Sequence, residues 1–110
     1  MKATELQQRL ASEVEQVEWD ALDDHYKRGA LFEVSVGVPL VKVAMAIALD
    51  CVNDVREWLE SGDLVQVSES RAEALRSQPK LQMTFLIVQP YVLITEAPPA
   101  SGGDDDAADG

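Results

Sequence analysis

Between residues 4 and 95 the chain switches between helical and extended hydrophobic spacing. Thr4 and Gln7 make a capping-box pattern, and Leu6, Leu10, Val14 and Val17 follow it as one apolar stripe. That spacing predicts a first helix over about residues 4–16. Continuing the stripe would place apolar residues one position ahead of Trp19, Leu22 and Tyr26. The slip in phase predicts a bend near Val17 and a second helix ending at Gly29. Asp23/Lys27 and Asp24/Arg28 stand at i,i+4 in the favourable acid-first order.

The segment ALFEVSV, 30–36, alternates, with Ala30, Phe32, Val34 and Val36 on one face, and GVP, 37–39, is turn material. VKVAMAIAL, 41–49, admits two readings. Its alanines favour a buried helix, whereas Val41, Val43, Met45, Ile47 and Leu49 hold a period of two against Lys42, Ala44, Ala46 and Ala48. The long alternation favours a strand, which makes 30–49 a hairpin with Lys42 guarding a solvent-facing edge. Asp50 or Asn53 then caps a helix carrying Val55, Trp58 and Leu59 and closed by Gly62. Leu64–Val67 is a short strand, and Ser70 with Glu73 opens a helix that stops before Pro79. QMTFLIV, 82–88, and YVLIT, 91–95, are apolar on both faces, as expected of interior strand, with a bulge or bend at Gln89-Pro90.

These elements predict an α+β fold: an antiparallel or mixed sheet of four to five strands with three to four helices packed on it. One domain spans 1–95. Residues 96–110, rich in Pro, Gly, Ser, Ala and Asp, form an acidic tail expected to be disordered. The run Asp104–Asp106 reads as a solvated tail rather than a metal site. No internal repeat is present.

Charge narrows the range of partners. The net charge of −11 divides into −6 for residues 1–95, with all nine Lys and Arg, and −5 for the tail. No basic cluster exists to neutralise phosphates, which argues against nucleic acid and anionic membrane surfaces as partners. A basic protein partner is compatible with the charge. The single cysteine, Cys51, cannot form an intrachain disulfide and suits a reducing compartment. The opening MKATELQQRL lacks an apolar h-region, and the apolar run Val43–Leu49 is too short to span a bilayer. A cytoplasmic location is expected.

The parts for catalysis are few. His25 and Cys51 are the single histidine and cysteine, and no phosphate loop, nucleophile elbow or metal-protease motif occurs. Asp20, Asp23, Asp24 and His25 are the nearest approach to a ligand set, but Lys27 and Arg28 account for two of them as a salt-bridged surface. Cys51 reads as a small hydrophobe. Trp19, Tyr26 and Trp58 lie on apolar stripes and read as core rather than interface anchors. No catalytic, metal or cofactor-binding residue is assigned and no cofactor is implied. If the chain has a pocket, its candidate residues are Asp50, His25 and Cys51.

Several pieces together resemble a family of small bacterial proteins known as a domain of unknown function. They are Trp19-x-x-Leu22, Arg28-Gly29-Ala30-Leu31, the run Val41–Leu49 closed by Asp50, Val55-x-x-Trp58-Leu59-x-x-Gly62-x-Leu64, and the IVQPYVLI motif at 87–94. The resemblance covers about residues 4–95. It implies a second acid after the position of Asp50, where this chain has Cys51, and it brings no activity or cofactor. The expected role is a non-catalytic interaction or regulatory module for another cytoplasmic protein. The alternative, a small enzyme or ligand-binding protein, requires a pocket near Asp50, His25 or Cys51. Acidic mimicry of nucleic acid is disfavoured because the acids are interleaved with Lys and Arg. A homodimer through edge strands is a further use for the apolar strands.

Overall fold

The computed structural model describes residues 3–96, and the predicted acidic tail beyond Glu96 lies outside the described residues. The elements are α1 (Ala3–Ser12), β1 (Glu15–Val17), a 3-10 turn (Trp19–Ala21), α2 (Asp23–Lys27), β2 (Leu31–Val34), α3 (Leu40–Ala48), α4 (Val52–Ser61), β3 (Leu64–Gln66), α5 (Glu69–Arg76), β4 (Met83–Val88) and β5 (Tyr91–Thr95). The strands form one mixed sheet in the order β1-β4-β5-β2-β3. β2 and β5 are parallel, and the other neighbours are antiparallel. The α+β class and the mixed five-stranded sheet agree with the sequence pattern.

Successive side chains of a strand point to opposite faces, so a sheet apolar on both needs helices on both. Val34, Leu86 and Leu93 meet Leu6, Leu10, Leu40, Val43 and Ala44 on one face. Leu31, Met83, Val92 and Ile94 meet Trp19, Leu22, Ala72 and Leu75 on the other. Phe32 and Val34 do share a face as the alternation of 30–36 predicts. Leu31, just before them, is buried as well, in the opposite core, while Val36 lies past the strand end and is exposed.

The sequence pattern misplaces one element outright. Residues 41–49 are not the second strand of a hairpin: α3 is a helix starting after Pro39. Leu40, Val43 and Ala44, at i, i+3 and i+4, are buried in the core with the sheet, and Ala46 is buried as well. Small alanines satisfy either period, so the alternation was an accident of composition. Lys42 lies on the exposed side of this helix and guards no strand edge. The fifth strand comes instead from β1, which pairs with β4 where the first predicted helix was to continue. That helix ends at Ser12, and the second reduces to the 3-10 turn and the short α2.

Two smaller differences concern turns and caps. FLIVQPYVLI, 85–94, is two interior strands of one hairpin. Gln89-Pro90, a cis peptide, forms the two-residue turn between Val88 and Tyr91 rather than a bulge or bend. α5 starts two residues earlier than predicted because Ser68, not Ser70, caps it, its Oγ accepting from the Arg71 N–H at 3.2 Å. Trp19 is buried in the core, and Tyr26 and Trp58 pack partly buried against it, as their stripes predict. Among the described residues no helix is long and apolar enough to cross a membrane.

Candidate functional site: an apolar cleft under the fourth helix

The α3–α4 joint borders an apolar cleft. At the end of α3 the Cys51 N–H reaches Ala46 O at 2.8 Å and the Asp50 N–H reaches Ile47 O at 3.2 Å. These bonds form a Schellman-type ending, with Asp50 in the left-handed conformation at φ 59°. Aspartate is among the few non-glycine residues that enter this region readily. The backbone therefore turns sharply between α3 and α4.

The cleft has a volume of about 420 Å³, within the range of small-ligand and peptide side-chain pockets. Phe32, Leu64 and Tyr91 from the sheet form its floor, with the Phe32 and Tyr91 rings edge to face at 5.5 Å. Ala46 and Ile47 of α3 form one wall, and Val52, Val55 and Leu59 of α4 the other. Asp50, Cys51 and Arg56 supply its polar part. Val52 and Leu59 are 52% and 48% exposed although both border the cleft. Apolar side chains half in water around a concavity are a common feature of binding surfaces.

Of the three sequence candidates, the fold gathers two. Asp50 and Cys51 border the cleft, where Cys51 is the half-buried residue before α4, with no capping bond from its thiol. His25 belongs to α2, whose Leu22 and Tyr26 neighbours pack into the core on the other face of the sheet. There its Nδ1 accepts from Arg28 Nη2. Asp50 is accounted for first by the backbone turn it makes.

Of the acidic group Asp20, Asp23 and Asp24, only Asp23 is salt-bridged, and the expected Asp24/Arg28 pair does not form. Asp23 accepts from Trp19 Nε1 at 3.1 Å and pairs with Lys27 at 3.0 Å and Arg76 at 3.5 Å. The bond from Lys27, with help from Trp19 and Arg76, holds the Asp23 carboxyl below its ordinary value. Arg28 turns to His25. No group of three or more His, Cys, Asp or Glu able to hold a metal ion occurs among the described residues. On the face away from the cleft, Arg71 forks onto Glu33 and also pairs with Glu96. The hydrogen bond to Glu33 raises the Arg71 pKa further above its ordinary value.

Sequence reasoning missed Phe32, Leu64, Tyr91, Val55 and Leu59 as site residues because each reads as ordinary core. One signal was available. Val52, Val55 and Leu59 run at i, i+3 and i+7 beside Trp58, an apolar stripe wider than one packed face requires.

Comparisons place this architecture among known proteins. Residues 5–96 match the family described as protein of unknown function DUF2288. The NMR solution structure of PA1075 from Pseudomonas aeruginosa is similar, at 32% identity and a TM-score of 0.74, over 91% of this chain and 93% of that one. No curated protein matches the chain.

Proposed function

The chain belongs to the DUF2288 family of proteins of unknown function, and from the cleft of this member we propose a non-catalytic binding module. It takes an apolar segment of a partner protein flanked by basic side chains. The cleft carries the reading: a concavity floored by Phe32, Leu64 and Tyr91 whose rim leaves Val52 and Leu59 half exposed. Charge supports the choice of partner. Between residues 50 and 63, around α4, stand Asp50, Asp54, Glu57, Glu60 and Asp63 against the single cation Arg56. A basic segment is drawn to that acidic stretch while its apolar residues enter the cleft. The enzyme alternative loses support because His25 is on the other face from Asp50 and Cys51.

The test is selection of a random peptide display library on the wild-type chain, with Leu59→Lys as counter-target. Enriched peptides should combine apolar residues with Lys or Arg. They should shift the amide signals of Ile47, Cys51, Val55, Leu59 and Leu64 and bind Leu59→Lys at least about tenfold more weakly. Absence of enrichment, or shifts centred on α2 and α5, would refute the reading.

A further inference from the structure

The two edges of the sheet are not equivalent. The β1 edge carries Glu15 and Gln16 within the strand and Glu13 and Glu18 beside it, a charged margin of the kind that discourages pairing. The β3 edge reads Leu64, Val65, Gln66, with Val67 next, and has no charged residue in the strand. Val65 is 48% exposed.

Hydrogen-bond alternation decides which backbone groups that edge offers. The Val67 N–H donates to Leu31 O at 3.0 Å and the Ser35 N–H to Asp63 O at 2.9 Å. In an antiparallel pair, bonded and non-bonded positions alternate, so residues 63, 65 and 67 address β2. The N–H and C=O groups of Leu64 and Gln66 therefore point away from the sheet. Leu64 belongs to both features: its side chain floors the cleft and its backbone faces the open edge.

We infer that the partner segment binds by adding a sixth strand to β3, its backbone on Leu64 and Gln66 and its alternate apolar side chains directed past Leu64 and Leu59 into the cleft. This deepens, and rests on, the binding reading above. The occupant is an extended segment alternating apolar residues with Lys or Arg, because main-chain pairing supplies the register while alternate side chains supply specificity. The basic side chains then stand on the opposite face of the added strand, the face on which α5 packs with Glu69 in its first turn. The net charge of −11 draws them to the chain. A second copy of this chain would instead bring the same acidic margins together, which charge opposes.

The experiment uses the wild-type chain and a peptide of about eight residues alternating lysine with valine or leucine. A composition-matched peptide with paired rather than alternating residues is the control. Isothermal titration and amide shifts should show the alternating peptide binding at Leu64–Gln66 and the cleft, at least about tenfold more tightly than the control. N-methylation at peptide positions of one parity should weaken binding about tenfold per site, and at the other parity barely at all. Equal tolerance of both parities, with binding still lost in Leu59→Lys, would overturn strand addition and leave the cleft reading standing. Binding indifferent to Leu59→Lys would overturn both. Shifts at residues 15–17 would assign the wrong edge. A dimer of the free chain that Val65→Lys dissolves would make a second copy the occupant and overturn the proposal.

Discussion

Arg71 offers the sharpest quantitative test of how the layers are held. From α5 its Nε donates to Glu33 Oε1 and its Nη2 to Glu33 Oε2, both at 2.8 Å, and Nη2 also meets Glu96. Glu33 lies on β2 and Glu96 follows β5, the parallel pair, so one guanidinium ties α5 across that junction. The side chains of Arg71 and Glu33 are 31% and 23% exposed. Freely exposed pairs are worth about 0.2–1 kcal/mol, and breaking a fully buried pair costs about 3–5 kcal/mol. A forked pair with this partial exposure lies between, so Arg71→Met, which keeps the apolar stem, should cost about 1–2 kcal/mol. Urea unfolding followed by tryptophan fluorescence, with Glu33→Gln and the double variant, should give a coupling of about 1 kcal/mol. For a domain of this size each kcal/mol is about 4–8 °C in Tm. A cation whose folded pKa is raised contributes stability below its unfolded value and loses it only as pH rises through the folded one. Arg71's share of the coupling is therefore present throughout the neutral range. A coupling below about 0.3 kcal/mol would mean that the two groups act independently, and the clamp would be refuted. Peptide binding at the cleft should not change, because Arg71 is on the other face of the sheet.

Leu86 is fully buried between α1, α3 and the sheet, so Leu86→Ala should cost about 2–5 kcal/mol in chemical denaturation. Gly62 ends α4 at φ 85° with open space where a Cβ would stand. Gly62→Ala should therefore lose about 1 kcal/mol from the backbone alone, a loss Gly62→Asn should partly recover. Asp23, its carboxyl lowered chiefly by Lys27, contributes stability above the unfolded value of 3.8 that is lost as pH falls through its folded value. Thermal melts at acid pH should fall less steeply for Asp23→Asn than for the wild type, and parallel curves would show that the ion pairs do not act.

Much of the architecture was legible because its signals are local. Gly62, the Val55-Trp58-Leu59 stripe and the two-sided apolar strands at 82–95 mark α4, β4 and β5 by residue type and spacing. The cleft was less legible. Its lining comes from α3, α4, β2, β3 and β5, and only packing turns core-like residues such as Phe32, Leu64 and Tyr91 into a floor. Asp50 and Cys51 were found as candidates for their chemistry, yet what places them is a backbone turn that spacing does not display.

The sequence by itself determined the α+β class, the two-sided burial of the final strands and the acidic character of the surface, since each follows from side-chain type or period alone. Tertiary structure decided the rest. Residues 41–49 fit a period of two and a helix equally well, because alanine is small enough for either face. They became α3 because a sheet apolar on both sides must be covered, and a helix through Val43 and Ala44 does so. Glu15–Val17 is too short and too polar to announce a strand, and it became one because β4 had an edge to satisfy. The cleft and the open β3 edge meet at Leu64 for the same reason: both arise from how distant segments pack.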